Sequence, residues 1–291
     1  MSIPTQLTSP PPQVPNTLVT FPKPHILLVT LNRPKQLNAI PIAQHHALAS
    51  LWHWYDNQLY LRCAVLTGTG RAFCAGADLK EWDQHNNNTN PDDGSHQQQP
   101  VEGFGGLSNR TGKKPIIAAV NGLCYGGGME MVINCDLVLA SDSNAKFGLP
   151  EVTKGVVAVA GALPRLVRIV GRQRASELAL LGRVGYTARE MKEWGLVNFV
   201  VEGEGDKVVE EAVKVAEEMA GNCSPDAVIV SREGLRMGME GVGPVLGTEV
   251  VMRGVFGRID KGENMKEGTR SFVEKRKAVW EDKFGELVER G

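Results

Sequence analysis

Two glutamates and three consecutive glycines share one stretch of the chain, Asn121–Glu151. Gly126–Gly128 follow a short apolar run, Pro115–Val120, that is typical of a buried strand, and they stand where a helix would begin. Glycine lets a ligand approach the backbone closely, and the free N–H groups of a helix start attract negative charge. Glu130 lies in that first turn, and Glu151 follows 21 residues later in a predicted loop. Two carboxylates beside backbone donors indicate acid/base chemistry on a substrate that develops an oxyanion.

A second loop of the same kind lies earlier in the chain. Arg71–Asp78 and Leu123–Glu130 each follow a predicted strand, contain glycine and lead into a helix. If the two strands are neighbours, two backbone N–H groups can point at one oxygen atom and form an oxyanion hole. Because such turns are often simple connections, their spacing alone leaves both interpretations open.

Length and composition narrow the classes of protein. The 291 residues suit one large domain, or one domain with a small extension. A net charge of −1 gives no electrostatic reason to expect a nucleic acid or an anionic membrane as partner. No apolar run reaches about 18 residues, so no membrane-spanning helix is expected. Five cysteines without CxxC spacing indicate reduced thiols in an intracellular protein.

The termini carry no recognised address. The first 16 residues are rich in proline, contain no basic residue, and are expected to be a disordered or loosely docked extension rather than a secretory or transit peptide. The C-terminus is not of the Ser-Lys-Leu peroxisomal type. The compartment stays open, with the cytosol as the default expectation and a mitochondrion or peroxisome as alternatives.

The pattern of elements predicts an α/β protein whose C-terminal part is helical. Alternating strands and helices in the first half favour a parallel sheet with helical crossovers. Strands are predicted at 17–21, 25–31, 60–67, 115–120, 135–140, 146–148 and 197–202. Helices are predicted at 42–55, from about 78, and at 162–170, 174–181, 187–194, 207–219, 225–237, 244–256 and 264–283.

One polar segment interrupts this pattern. Residues 84–100 are low in complexity and cannot bury apolar surface, so a mobile surface insertion is expected there. His85 and His96 within it are interpreted as solvated loop histidines rather than metal ligands. No metal site is therefore predicted.

Several ordered motifs closely resemble the enoyl-CoA hydratase/isomerase family, also called crotonases. They are FCAGADLKEW, PIIAAVNGLCYGGGMEMVINCDLVLAS and KFGLPEVTKG, with LNRPKQLNAI near the start and EGTRSFVEKRKAVW near the end. The resemblance implies a crotonase-like (ClpP/crotonase) core of repeated β-β-α units over 17–205. It also implies a C-terminal helical region, 206–291, that supports trimers or dimers of trimers. The implied substrate is an acyl-CoA thioester, so that coenzyme A arrives with the substrate and no separate cofactor is expected.

The family's site residues map onto the central motifs. By motif position, the oxyanion hole is formed by the backbone N–H groups of Ala77 and Gly127, and the acid/base pair is Glu130 and Glu151. The resemblance favours Glu130 for activating water and Glu151 for protonating the substrate α-carbon, although two close carboxylates titrate as a pair. Without the resemblance, composition favours structural interpretations, in which Glu130 interacts with the helix dipole and Glu151 is a solvated loop carboxylate.

The presence of both glutamates favours a hydratase. Isomerases of the family typically keep only the residue that matches Glu151, so an enoyl-CoA isomerase or another acyl-CoA lyase is the alternative. A noncatalytic crotonase-like scaffold that binds RNA or a protein is a third hypothesis. The near-neutral charge argues against RNA binding, and the retention of both glutamates argues against a noncatalytic protein.

The chain departs from the family pattern beside the expected acyl pocket. One extra residue separates the two glutamates and is expected in the loop 141–144. Downstream, Ala158 replaces a proline, while Val159 and Ala162 replace glycines. Since bulkier side chains reshape a pocket, crotonyl-CoA is not expected to be the best substrate.

Further residues are assigned to coenzyme A or to the pocket. Cationic groups suit the nucleotide phosphates, and Lys35, Phe272 and Lys275 match family positions near them, the last two often from a neighbouring subunit. The other predicted substrate-binding residues are Ala75, Gly76, Asp78, Leu79, Tyr125, Gly126 and Val159. Asp78 is also a predicted helix cap. Cys74, Cys124 and Cys135 lack a neighbouring histidine and are interpreted as packing residues.

Overall fold

The computed structural model describes residues 3–88, 99–260 and 262–283. Within them the strands are β1 (Thr17–Thr20), β2 (Ile26–Leu31), β3 (Cys63–Gly68), β4 (Ala72–Cys74), β5 (Ile116–Val120), β6 (Leu123–Tyr125), β7 (Leu137–Ser141), β8 (Lys146–Gly148), β9 (Val184–Thr187) and β10 (Phe199–Val201). The helices of the α/β core are α1 (Ile42–Asn57), α2 (Leu79–Asn88), α3 (Gly127–Ile133), α4 (Ala162–Val170), α5 (Arg172–Leu181) and α6 (Ala188–Glu193). The C-terminal helices are α7 (Gly205–Asn222), α8 (Pro225–Met239), α9 (Pro244–Val251), α10 (Gly257–Ile259) and α11 (Glu263–Val273).

The larger sheet has six strands in the order β1-β2-β3-β5-β7-β10. Only β1 pairs antiparallel in this sheet, and the other strands run parallel, so the predicted α/β architecture is confirmed. Every residue of β3 is buried, and successive side chains alternate between two apolar clusters. Ala64 and Leu66 face the cluster with α1, while Cys63 and Val65 face α7. A parallel sheet covered on both faces explains the nearly continuous apolar strands.

The smaller sheet determines where the site lies. Its order is β4-β6-β8-β9, with β4, β6 and β8 parallel and β9 antiparallel to β8. The sequence did not predict β6 or β9, because strands of three or four residues carry little periodicity. Since β4 and β6 are neighbours, the glycine-containing loops that follow them lie side by side.

One prediction about the C-terminal helices needs correction. The helix predicted over 264–283 ends at Val273, because the chain turns back through Lys275 (φ 53°) and Arg276 then pairs with Glu267 at 2.8 Å. Residues 3–16, for which disorder or loose docking was expected, lie against α1. There Trp54 Nε1 donates to Ser9 Oγ at 3.0 Å, and apolar contacts bury Val14.

Other expectations concern the polar insertion and membrane spans. Most of the predicted insertion, including His96, falls on residues 89–98, which lie outside the described ranges, and α2 continues to Asn88. No helix in the described part of the chain has the length and apolar character needed to cross a bilayer.

Candidate active site

A cleft of about 160 Å³ opens where β4 and β6 end. It brings together both predicted acids and both predicted oxyanion-hole residues, Glu130, Glu151, Ala77 and Gly127. Five other predicted binding residues also line it, namely Ala75, Gly76, Leu79, Gly126 and Val159. Residues that the sequence analysis did not single out complete the lining, namely Trp82, Gln99, Phe104, Pro150, Lys154, Val156, Val157 and Ala160.

The backbone positions Ala77 and Gly127 as two adjacent N–H donors. A Cβ atom added to Gly76 would lie 3.3 Å from the nitrogen of Gly127, so the two loops are in contact. Ile40 forms a parallel bridge with Ala77, donating to Gly76 O (2.9 Å) and accepting from the N–H of Asp78 (3.3 Å). That pattern turns the N–H of Ala77 away from Ile40. Among the described residues, no acceptor takes the N–H of Ala77 or of Gly127.

Glycine is required in these loops for steric reasons. Gly76 has φ of +98° and Gly126 has φ of +56°, a region that residues with a side chain rarely adopt. The N–H of Gly126 is used by Gly148 O at 3.0 Å, which fixes the start of α3. A side chain at Gly127 would overlap the ring of Phe104. The ring therefore covers one side of Gly126–Gly128, which is called the oxyanion loop below.

Glu130 is a buried acid held by backbone donors. Its side chain projects from the first turn of α3 and the residue is 4% exposed. Oε1 accepts the N–H of Ala160 at 2.9 Å. Burial, and to a smaller extent the charge of Glu151, raise the pKa of Glu130 to about 7, although the N–H groups of Ala160 and Ala162 oppose the shift.

Glu151 is the second acid of the cleft, and its side chain is not held by a hydrogen bond from another described residue. It begins the short 3₁₀ helix Glu151–Lys154, just after Pro150. Both carboxyl oxygens are buried and have no hydrogen-bond partner within the described residues. Oε1 lies 3.4 Å from where a Cβ of Gly126 would be, so this carboxyl group adjoins the oxyanion loop. Burial raises its pKa above the usual range.

The geometry suits charge stabilisation and proton transfer at one small centre. Two free N–H groups can donate hydrogen bonds to a developing oxyanion, as in an oxyanion hole. The carboxyl groups beside them both have raised pKa values, and the pKa of about 7 at Glu130 makes both protonation states of that acid accessible near neutral pH. The extra residue between the two acids does not separate them, because the chain closes a turn from Ser141 to Ala145 (3.1 Å).

Some predicted binding residues lie elsewhere. The Asp78 carboxylate accepts from Arg33 Nη1 at 3.0 Å, and Tyr125 is half-buried outside the cleft lining. Lys35, Phe272 and Lys275 are exposed and do not line the cleft of the single chain. Their contacts with coenzyme A stay a prediction. Among the described residues, no group of histidine, cysteine and acidic side chains has the arrangement of a metal site.

Sequence reasoning missed the segment that covers the oxyanion loop. Phe104 opens a 3₁₀ turn, Phe104–Gly106, preceded by Gly103 with φ of +76°. The sequence feature that could have identified this segment is its dense glycine run, Gly-Phe-Gly-Gly. Such a run indicates a compact turn but not that the turn lies beside the cleft.

Known proteins with similar sequences and structures belong to one family. The family model described as enoyl-CoA hydratase/isomerase matches residues 23–283. A mevalonyl-coenzyme A hydratase of Beauveria bassiana is 58% identical over 278 residues, covering 94% of this chain and 98% of that protein. A mevalonyl-coenzyme A hydratase of Aspergillus fumigatus is 49% identical over 269 residues, covering 92% and 96%. The crystal structure of an enoyl-CoA hydratase from Bacillus anthracis superposes with a TM-score of 0.80 at 32% identity, covering 92% of this chain and 99% of that one.

Fold and site thus define an enzyme of the lyase type with the crotonase architecture. The chain belongs to the enoyl-CoA hydratase/isomerase family.

Proposed function

We propose that this protein catalyses the reversible addition of water to a 2-enoyl-CoA thioester. The N–H groups of Ala77 and Gly127 hold the thioester oxygen, while Glu130 and Glu151 transfer protons. The observation that carries the proposal is a buried, unpartnered carboxyl group, Glu151, beside two unused backbone donors. Burying a polar group without a partner is costly, which is consistent with a site shaped for a ligand.

The proposed reaction divides the work between the two acids. Glu130 takes a proton from water while the oxygen of that water attacks the β-carbon. The electron pair of the double bond then moves toward the thioester carbonyl. Two fixed N–H dipoles stabilise the resulting enolate without reorganising. Glu151 then delivers a proton to the α-carbon. The sum is one hydroxyl on the β-carbon and one hydrogen on the α-carbon, and the reverse sequence eliminates water.

The state of each acid fits this division. The N–H of Ala160 favours the ionised form of Glu130, since it donates to the carboxylate. The carboxyl oxygens of Glu151 have no hydrogen-bond partner among the described residues, and only the residue's own backbone N–H opposes the rise of its pKa. The contacts therefore support best an assignment in which Glu130, held by a hydrogen bond, is the base and Glu151, which has no such bond, is the acid.

For the acyl group, we propose a branched chain that carries a hydroxyl group. Two relatives at 58% and 49% identity are named mevalonyl-coenzyme A hydratases. A mevalonyl group has a methyl branch on its β-carbon and a hydroxyl at its far end. The cleft offers apolar side chains, Trp82, Val156 and Val157, together with the polar Gln99 and Lys154. Such a mixed lining suits a chain that is branched near the reacting carbons and polar at its end.

A panel of acyl-CoA thioesters tests the proposal. Absorbance of the enoyl-thioester band follows its loss on hydration and its gain on elimination, and product analysis separates hydration from a double-bond shift. Branched and hydroxylated substrates are expected to give a higher kcat/KM than crotonyl-CoA. If crotonyl-CoA outperformed every longer, branched or hydroxylated thioester, the assigned substrate class would be wrong.

The second candidate is an isomerase, which shifts the double bond. It needs only one acid, so a buried Glu130 held toward the same centre favours the hydratase. Incorporation of oxygen from labelled water into the product discriminates the two, because an isomerase incorporates none.

A further inference from the structure

A buried serine joins the two halves of the cleft. Ser108 is 0% exposed and follows the turn that carries Phe104. Its Oγ accepts the N–H of Phe104 at 2.7 Å and donates to the carbonyl oxygen of Ala160 at 2.6 Å. The hydroxyl thus uses its donor and an acceptor site on two separate segments of backbone.

The carbonyl group and the N–H group of Ala160 are both hydrogen-bonded to side chains. Its carbonyl accepts from Ser108, and its N–H donates to Glu130 Oε1 at 2.9 Å. A shift of this residue would therefore move the donor that orients the Glu130 carboxylate. On the other side of the bridge, the ring of Phe104 lies directly against Gly127.

The surroundings leave room for little more than a hydroxyl. Gly103 and Gly161 adopt φ of +76° and +116°, and a Cβ on Gly103 would overlap Ser108 Oγ. The turn next to the bridge is itself fixed, because Trp52 Nε1 donates to Gly105 O (3.0 Å) and His45 Nδ1 accepts from Gly105 N–H (2.9 Å). A serine is the small side chain that supplies both a donor and an acceptor here.

We propose that Ser108 is a positioning residue for the reaction. By bridging Phe104 N–H to Ala160 C=O, it holds the carboxylate of Glu130 in register with the amide of Gly127. This inference rests on the proposed function, since it assigns to Ser108 an effect on the proposed base. Ser108 does not line the cleft, so its effect passes through Phe104 and Ala160.

Removing the hydroxyl has two consequences with different readouts. It leaves a buried N–H and a buried C=O without partners, which lowers stability. It also frees Ala160, so that its N–H donates less well to the ionised Glu130. Because that donor favours the carboxylate, the pKa of Glu130 rises and the acid limb of the pH–rate profile moves to higher pH. A merely structural serine would produce the first effect alone.

The test compares Ser108→Ala with a matched control, Ser141→Ala. Ser141 is also 0% exposed, and its Oγ donates to Gly203 O at 3.1 Å and accepts the N–H of Asn144 at 3.4 Å, outside the cleft. Ser108→Ala is expected to lower kcat about tenfold with little change in KM, and to raise the acid limb by about half a pH unit. Ser141→Ala is expected to lower the thermal midpoint but to leave kcat and the pH profile unchanged.

Ser108→Cys extends the test to a nearly isosteric side chain. Its weak S–H donor is expected to give a smaller loss of kcat and a smaller displacement of the acid limb than alanine, and it serves alone if the alanine variant does not fold. A folded Ser108 variant with wild-type kcat and an unmoved acid limb would overturn the proposal.

Failure of this inference can be told apart from failure of the proposed function. Glu130→Gln is measured in the same assay. If Glu130→Gln keeps wild-type turnover, the acid/base assignment is wrong. If Glu130→Gln loses turnover while Ser108→Ala matches Ser141→Ala, only the positioning role of Ser108 is wrong.

Discussion

The two sides of the cleft present the same chemical group in different ways. On one side, α3 is buried along its whole length and its Glu130 accepts the N–H of Ala160. On the other side, no residue of the 3₁₀ helix Glu151–Lys154 is fully buried, and the carboxyl oxygens of Glu151 have no partner among the described residues. Glu130 is therefore held in place by the protein, whereas the carboxyl group of Glu151 is available to a ligand.

The difference in burial between the two sides indicates which side of the cleft tolerates changes in side-chain size. The α3 side adjoins the packed core, where any change of volume is felt by the neighbours. The opposite wall carries Val156, Val157 and Val159, whose side chains can change size while the sheet stays intact. We therefore expect chemistry to be set by the buried side and acyl specificity by the partly exposed wall.

The largest expected effect comes from neutralising each acid in turn. Glu130→Gln and Glu151→Gln keep the side-chain shape but cannot exchange protons, so each is expected to lower kcat about 10²- to 10⁴-fold. Steady-state hydration kinetics on the best substrate of the panel measures the loss. The matched control is Glu177→Gln, whose carboxylate accepts from Tyr186 OH at 3.0 Å outside the cleft. If either cleft variant kept turnover within a few-fold of wild type, the two-acid account would fail.

The oxyanion loop is expected to give the next largest effect. In Gly127→Ala the new methyl group meets the Phe104 ring and displaces the amide, so kcat/KM is expected to fall about 10²- to 10³-fold. Gly238→Ala serves as the control, because a Cβ there meets no atom within 4 Å. Circular dichroism checks that both variants fold. A folded Gly127→Ala enzyme with kcat/KM within threefold of wild type would contradict the role of this amide.

A smaller effect is expected on stability. The folded state raises the pKa of Glu130 from its ordinary 4.5 to about 7, so the folded state holds this proton more tightly than the unfolded chain does. Its ionisation therefore costs stability progressively as pH rises through this range, and the full cost is present above pH 7. Glu130→Gln removes the cost and is expected to stabilise the protein by about 1–3 kcal/mol at pH 8 but much less at pH 5.

Urea denaturation of both proteins at the two pH values measures this difference. A Glu130→Gln protein that is less stable than wild type at pH 8 would show that the buried charge is compensated by contacts.

The smallest expected effect is on the titration of Glu130 itself. In Glu151→Gln the neighbouring charge is gone, so the pKa of Glu130 is expected to fall below about 7. It is expected to stay above the usual range, because burial is the larger cause. Carbon-13 detection of the side-chain carboxyl in wild type and variant follows the change. An unchanged or higher pKa would mean that the two acids are not coupled.

The sequence was sufficient for the parts of the site that carry strong local patterns. Gly126–Gly128 after an apolar strand predicted a helix start with free donors. The strands predicted before the two glycine loops are β3 and β5, which are neighbours in the larger sheet, and β4 pairs with β6 beyond them. The contacts of Phe104, Ser108 and Ala160 were not predictable in this way. They join segments about fifty residues apart, as in Ser108 to Ala160, and no periodicity encodes such a distance.

The C-terminal region shows the complementary limit. Residues 274–283 contain good helix formers, yet the chain reverses after Val273 because Arg276 finds Glu267 and the backbone of Val279 bonds the same carboxylate. Tertiary contacts override local propensity there.

The central claim is that the amides of Ala77 and Gly127 act on one substrate oxygen between the two acids. A crystal structure with a bound, unreactive acyl-CoA tests it most directly. The account predicts the thioester oxygen at about 2.7–3.1 Å from both nitrogens, with Glu130 and Glu151 facing the β- and α-carbons. A thioester oxygen bound away from either nitrogen, or an acid turned from those carbons, would contradict it.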